Sequence, residues 1–329
     1  MTHPGKARTA LKRGSLLAAA NWQVVAVQTV AETTFKLLLA VPIVGGALLV
    51  TLLLNRDIED MLADGLREAL IGVASSLAAH PVALAAYLFG FLVVLAGGAA
   101  LMFLIKGGTV TVLAKADALA GGIERPPLRI AAFRRGMHFS IEAFLQGAGR
   151  LFRRYLALGL LLTVVYVLVA GLSLIAAFGL YRLVGERPLL LGSVAALALT
   201  LFVALMTVVN VLYLLTQIVV AVQDGRVSAA AAEVGRFLAG EFWKVTRVFF
   251  VTILLLILAT ALSIAATWGF YLIAYVPLAG VIVLPLQLGA WLLRALVFQY
   301  LGLTALCAYL SLYRSFAGET REAAVPATR

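Results

Sequence analysis

Long stretches without a charged residue are the feature that most limits how this chain can fold. Residues 155–180 and 189–222 contain no Asp, Glu, Lys or Arg. A helix crosses the hydrocarbon core of a bilayer with about 20 apolar residues, so either stretch is long enough to span a membrane. Hydrophobic residues make up 63% of the sequence and charged residues 12%, whereas soluble domains have about 45–50% and 25%. The sequence therefore predicts an all-α fold, a polytopic transmembrane helical bundle.

Six apolar stretches can be placed along the chain, and polar connections separate them. Together they form a predicted six-span transmembrane domain, residues 36–313. We expect a cytosolic amphipathic segment, 1–35, before this domain, because that segment is too polar to span and has Trp22 available for the headgroup level. We expect a disordered cytosolic tail, 314–329, after it. The predicted spans cover residues 36–54, 82–105, 155–180, 189–222, 248–271 and 287–313.

Cationic residues collect on one side of the predicted membrane. The connection 106–154 carries nine Lys or Arg residues against three acidic ones, and the connection 224–247 carries four against three. By the positive-inside rule, both connections and both termini then lie in the cytosol. We expect a multi-pass protein of the bacterial cytoplasmic (inner) membrane. Since topology explains most of the net charge of +11, no nucleic-acid partner is predicted.

Both basic connections show helical patterns with turn signals. Gly107 and Gly108 are expected to break the second span, and residues 128–154 to form an amphipathic helix along the inner leaflet. Asp224 and Gly225 are expected to end the fourth span, and Ser228 to cap a short cytosolic helix that runs to residue 238.

An acidic amphipathic helix is predicted on the opposite side, at 55–80. Asp57, Asp60, Asp64 and Glu68 share one face of it. With no histidine nearby and no calcium-loop pattern, a solvated face is the better interpretation than a metal site.

The first basic connection has more cations than orientation alone requires. An aromatic and aliphatic side accompanies its arginines, and each base close to an anionic leaflet can contribute about 1 kcal/mol. This surplus predicts binding of anionic lipid or of a protein partner whose identity the sequence does not give. The candidate residues are Arg129, Arg134, Arg135, Arg150, Arg153 and Arg154.

Polar residues inside the spans are a second set of candidates. Asn210 and Gln217 lie on one face of the fourth span, which fits either interhelical hydrogen bonds or a substrate path. Arg294 lies within the sixth span, where a guanidinium requires a partner, a cavity or an escape to the interface. One hypothesis is that Arg294 binds an anion or a lipid headgroup with Asn210 or Gln217 nearby.

Four loop segments carry a family resemblance: Lys-Gly-Gly-Thr at 106–109, Phe-Arg-Arg-Gly at 133–136, Val-Val-Ala-Val-Gln-Asp-Gly at 219–225, and the segment 236–244. With the hydropathy of residues 80–275, they resemble six-span bacterial membrane proteins related to the membrane domain of glycerophosphodiester phosphodiesterases. The resemblance implies an architecture. It implies no hydrolase activity, because the sequence has no polar stretch of roughly 250 residues for a catalytic barrel.

Catalytic signatures do not emerge from the remaining residues. His3, His80 and His138 are far apart in the sequence and on different predicted sides, and no nucleotide-binding or nucleophile motif occurs. We expect no enzyme activity, no cofactor and no metal. The leading hypothesis is a non-enzymatic membrane module that binds anionic lipid or a partner through its basic helices. The alternative is a transporter or channel for a small solute, anion or lipid that uses the fourth span and Arg294.

Overall fold

The computed structural model describes residues 5–54, 79–125, 130–184, 188–274 and 279–324. Over these residues the chain forms eight α-helices and no strand. Six of the helices are long and apolar enough to cross a membrane, which confirms the predicted all-α, six-span class. The acidic helix predicted at 55–80 lies almost entirely outside the described residues. The helices are α1 (Gly5–Ala20), α2 (Trp22–Leu54), α3 (Pro81–Leu119), α4 (Ile130–Gly136), α5 (Ile141–Val184), α6 (Pro188–Gln223), α7 (Val227–Ala274) and α8 (Ala279–Ala324).

The chain divides into two compact units, of which Val27–Ile105 is the smaller. In it, α2 and α3 pack as an antiparallel pair, with Phe35 against Gly98 and Tyr87 against Gly46. A Cβ atom at position 46 would come within 2.6 Å of the Tyr87 hydroxyl. The absence of a side chain at these glycines therefore allows the aromatic rings to lie directly on the facing helix backbone.

The larger unit, Met1–Ala26 with Lys106–Arg329, buries its side chains at one end of its long helices. We call this end the terminal core. It consists of α1, residues 22–26 of α2, residues 106–119 of α3, α4, residues 141–158 of α5, 213–223 of α6, 227–248 of α7 and 300–316 of α8. Its fully buried side chains include those of Leu17, Leu113, Leu151, Tyr155, Ile218, Phe237, Leu310 and Tyr313.

Helix α1 lies inside the terminal core, whereas the sequence analysis placed it on the membrane surface. Its buried face is formed by small residues, Ala7, Ala10, Gly14 and Ala18. A Cβ at Gly14 would overlap the carbonyl oxygen of Thr304, so α1 and α8 are in backbone contact there. The small residues on this face let α1 approach α8 closely, and the burial of α1 depends on that close approach.

Helix α3 runs through Gly107 and Gly108 to Leu119, so the predicted break at these glycines is wrong. A Cβ at position 107 would be 3.3 Å from the backbone oxygen of Gly147, and one at position 108 would be 2.8 Å from the Phe144 ring. The two glycines thus bring α3 close to α5. Gly121, with a φ of 59°, follows the end of α3 and adopts the left-handed conformation of a helix C-terminus.

The predicted helix at 128–154 is two helices, α4 and the first turns of α5. The Ser140 hydroxyl accepts a hydrogen bond of 3.1 Å from the Ala143 amide and caps α5. From there α5 continues without interruption into the span. The break is fixed by the buried Asn21, whose Nδ2 donates to the Gly136 carbonyl at 2.8 Å and whose Oδ1 accepts from the His138 amide at 3.1 Å.

The end of α6 follows the prediction, whereas the start of α7 does not, because Ser228 lies inside α7 and is not its cap. Helix α6 ends at Gln223, and Asp224 adopts a φ of 53°. Helix α7 begins at Val227 and bends at Glu241 before it enters the span. Its first part packs on α8 through Phe237, which contacts the rings of Tyr313 and Phe316. Helix α8 continues beyond these contacts to Ala324. Most of the segment that was predicted to be a disordered tail is therefore helical.

Candidate functional sites

A basic surface lies where α4 and α5 emerge from the terminal core. Arg134, Arg135, Arg150 and Arg153 are exposed, and none has an ion-pair partner among the residues that the structure describes. Arg154 differs, because it is partly buried and forms an ion pair with Asp224. Arg129 is outside the described residues. The structure thus leaves four of the six predicted arginines available to a ligand.

Two of these arginines share one face of α5 with residues of the span. Positions 150, 153, 157, 160, 164 and 167 are all exposed and recur every three or four residues, which is the period of one helix face. Leu160 and Val167 on this face are 61% and 67% exposed. Since Arg153 precedes Leu160 by seven residues, it lies about 10 Å below it along the helix. We call positions 150–167 of this face the α5 stripe.

Exposed aliphatic side chains flank the basic surface. Ile130 on α4 and Ile141 and Leu145 at the start of α5 are each more than 60% exposed. Large apolar groups next to unpaired arginines are typical of segments that lie at a membrane interface. The surface is therefore amphipathic even though it is not one continuous helix.

A charged cluster joins α1, α3 and α8 on the same end of the molecule. Asp117, only 4% exposed, accepts hydrogen bonds from Arg13 Nε at 2.7 Å and from an Arg314 terminal nitrogen at 3.2 Å. Glu124 accepts from the Arg13 guanidinium at 2.9 Å. An open cavity of about 850 Å³ adjoins the cluster. This site was not predicted from the sequence, although Asp117 occupies a buried position in the apolar pattern of α3.

Arg13 also completes the C-terminus of α3. Its guanidinium donates to the backbone oxygens of Asp117, at 2.7 Å, and of Gly121. Cations at a helix C-terminus satisfy the last carbonyls and interact favourably with the helix dipole. Although burial lowers the pKa of Arg13, the charges and hydrogen bonds of Asp117 and Glu124 raise it overall. The cluster therefore links α1 to α3 through hydrogen bonds and ion pairs.

The polar residues predicted on α6 fall in two environments. Gln217 is buried in the terminal core, where its backbone oxygen accepts a hydrogen bond of 2.9 Å from the Tyr155 hydroxyl. Asn210 lies two turns away on the span, and its Oδ1 accepts from the hydroxyl of Tyr166 on α5. The Asn210 side chain thus joins α5 to α6 by an interhelical hydrogen bond, whereas the Gln217 bond is made by its backbone and the buried Gln217 Nε2 has no hydrogen-bond partner among the described residues.

Arg294 lines a cavity of about 590 Å³ between α7 and α8. Its guanidinium lies 5.7 Å from the centre of the Phe298 ring. Neither Asn210 nor Gln217 belongs to the cavity wall, so the structure does not bring together the three intramembrane residues that the sequence analysis grouped. The other polar residues of the wall are Ser263, Thr267, Tyr271 and Gln287.

Metal-binding groups are not found within the described part of the chain, where no three His, Cys, Asp or Glu side chains lie close enough to hold an ion. Cys307 is buried in the terminal core.

Comparison of the chain with protein-family models, curated proteins and solved structures finds no match, so the family resemblance of the loop segments stays a prediction.

Proposed function

We propose that this protein is a non-enzymatic, multi-pass membrane protein that binds anionic lipid headgroups through the basic surface of α4 and α5. The α5 stripe carries the proposal. A face that is exposed to lipid along the span continues beyond Leu160 into Arg153, about 10 Å further along the helix, and Arg150, about 15 Å further. Lipid headgroups begin where the hydrocarbon core ends, which is the end of the apolar span. The two arginines follow that end of the span and therefore lie at headgroup level.

Electrostatic attraction supplies the affinity in this proposal. Each Lys or Arg close to an anionic leaflet contributes about 1 kcal/mol, and guanidinium groups bind phosphate through paired hydrogen bonds. Arg150 and Arg153 have no ion-pair partner among the described residues that would compete with a phosphate.

The excess of Lys and Arg near this end supports a cytosolic position for the terminal core. In a bacterial inner membrane the positive-inside rule places such segments in the cytosol, where the leaflet is anionic. Both described terminal helices, α1 and α8, belong to the terminal core, so the proposal puts both on that side. A protein partner that uses the same arginines would compete with lipid for them.

A lipid-selectivity measurement tests the proposal. The protein is reconstituted in vesicles, and electron spin resonance of spin-labelled phosphatidylglycerol and phosphatidylcholine gives their relative association with it. We expect a preference for phosphatidylglycerol that falls about thirtyfold in the double variant Arg150→Gln, Arg153→Gln, because about 1 kcal/mol is lost for each of the two bases. The preference should also weaken at high salt.

The matched control removes the same charge elsewhere. Arg8 on α1 and Arg236, which pairs with Glu233 on α7, are exposed on the terminal core. The double variant Arg8→Gln, Arg236→Gln should retain the phosphatidylglycerol preference. Equal losses in the two double variants would show that net charge alone sets the preference, and no loss in the α5 variant would contradict the proposal.

A further inference from the structure

The cavity at Arg294 has the composition of a binding site. Of the 14 residues that line it, most are apolar or aromatic, and a small set of polar groups accompanies the guanidinium. Its volume of about 590 Å³ lies within the roughly 300–1,000 Å³ of small-molecule sites, which are typically apolar with a few placed polar groups. The cavity is separate from the basic surface, since α7 and α8 alone supply its wall.

Arg294 lies at membrane depth. It precedes Tyr300, where the terminal core begins on α8, by six residues, or about 9 Å, and it follows Pro285, where the apolar span begins, by nine residues, or about 14 Å. On the facing helix, Ala259 of the cavity wall follows Arg247 by 12 residues, or about 18 Å. Because the hydrocarbon core is about 30 Å thick, the guanidinium lies within it and not at the basic surface.

No carboxylate of these two helices can neutralise Arg294 inside the membrane. The sequence contains no Asp or Glu between Glu241 and Glu319, which covers both walls of the cavity. A charged residue at this depth costs about 2.5–3.5 kcal/mol on insertion scales and usually marks a functional site. Contact with the Phe298 ring offsets part of that cost, but it supplies no negative charge.

The cavity is open at its sides. Leu262, Tyr271 and Leu293 on its wall are each more than 60% exposed. In a membrane these exposed side chains face hydrocarbon, so a ligand can enter laterally from the bilayer. The cavity is apolar, opens to lipid and contains one cation. It therefore fits a molecule whose acyl chain contacts the apolar wall and whose single negative group binds the cation.

From this complementarity we infer that the α7–α8 cavity binds a single-chain anionic amphiphile, with its carboxylate or phosphate on Arg294 and its chain along the apolar wall. Gln287 and Thr267 are polar residues of the same wall. The apolar part of the ligand replaces lipid chains against Leu262, Trp291 and Val297. The occupant comes from the membrane and not from water, since the cavity opens toward hydrocarbon and most of its wall is apolar.

Trp291, which lines the cavity one turn before Arg294, provides a local probe. The full-length protein carries Trp22→Phe, Trp243→Phe and Trp268→Phe, which leaves Trp291 as its one tryptophan. It is placed in phosphatidylcholine nanodiscs at about pH 9, where a membrane-bound fatty acid is ionised. A brominated fatty acid is the ligand probe, and the brominated alcohol of the same chain length is the uncharged control.

We expect the acid to quench Trp291 saturably, at concentrations where the alcohol gives only the gradual quenching of membrane partitioning. Arg294→Gln should weaken binding of the acid about tenfold, because one charge-assisted interaction is lost. Arg294→Lys should retain most of the affinity. The Arg150→Gln, Arg153→Gln variant should bind the acid normally, which separates this site from the basic surface.

Equal quenching by acid and alcohol in the protein with Arg294 intact would overturn the inference, and this comparison does not depend on any variant folding. Unchanged affinity in Arg294→Gln would overturn it as well. Release of the acid by an equal concentration of inorganic phosphate would show a site for small anions, which is a different site from the one inferred.

Discussion

The two ends of helices α5 to α8 differ in how they are held. In the terminal core, side chains are buried, and hydrogen bonds and ion pairs join helices that are distant in sequence, as in Tyr300 to Ser15 at 3.1 Å. In the outer halves, no residue is buried in the most apolar windows of α5 and α6. Described polar contacts there are mostly within one helix, such as Thr267 to Ser263.

This difference follows from the solvent around each end. In water, burying apolar side chains favours packing, whereas in lipid an aliphatic side chain is equally well solvated by acyl chains. Helices in lipid therefore gain little from contact unless small or polar residues allow close packing. The terminal core specifies how the helices meet, and the outer halves are left free to contact lipid or a ligand.

The largest electrostatic effect should come from the buried ion pair. Asp117→Ala leaves Arg13, only 15% exposed, without its closest carboxylate. We expect a loss of about 3 kcal/mol in the free energy of unfolding, at the low end for a buried pair because Arg314 is partly exposed. Titration with SDS in mixed micelles measures it.

The matched control is the exposed ion pair between Arg154 and Asp224. Asp224→Ala should cost no more than about 1 kcal/mol, because solvent screens that pair. Equal effects of Asp117→Ala and Asp224→Ala would remove the distinction between a buried cluster and a surface pair.

A smaller effect should come from the contact between α1 and α8. Gly14→Ala introduces a Cβ that would lie 2.9 Å from the Ala308 amide nitrogen, and we expect a loss of about 1–3 kcal/mol from overpacking. Gly302→Ala on α8 is the control, since a Cβ there meets no atom within 4 Å. It should be neutral or stabilising by up to about 1 kcal/mol, as Ala is the better helix former. Identical stabilities for the two variants in the same SDS titration would exclude the close approach.

The smallest effect is expected in the outer half. Leu172 on α5 is 66% exposed, so Leu172→Ala should change stability in detergent by less than about 0.5 kcal/mol. Leu17→Ala in the terminal core should cost about 2–5 kcal/mol, because the side chain there is fully buried. A cost for Leu172→Ala close to that for Leu17→Ala would mean that the outer half is as tightly packed as the core.

Hydropathy alone was sufficient to predict the helical class and the six spans. The end of α6 was also predicted correctly from Asp224 and Gly225, although the residue in the left-handed conformation is Asp224 and not the glycine. Hydropathy was insufficient for α1, where Lys and Arg residues make the segment polar on average although its small residues form a packing face. The glycines at 107 and 108 were misread for a related reason: the same residue breaks one helix and lets another approach closely.

Tertiary partners of the candidate site residues were beyond the sequence. Arg294, Asn210 and Gln217 were grouped by membrane depth, but depth does not tell which helices are neighbours. The structure places Arg294 with Thr267 and Gln287 of the α7–α8 cavity wall. The exposure of Arg150 and Arg153 and the pairing of Arg154 likewise depend on the rotation of α5, which charge counting does not specify.

The central claim is that the described terminal helices and the helix ends of the terminal core lie on one side of the membrane. Sided labelling of single cysteines, in a Cys307→Ala background within sealed cells, tests it most directly. A membrane-impermeant maleimide should label cysteines at the exposed positions 8, 235 and 318 from the same side of the membrane. It should label position 182, at the other end of α5, from the opposite side. Labelling of position 8 or 318 from the side that labels position 182 would contradict the account.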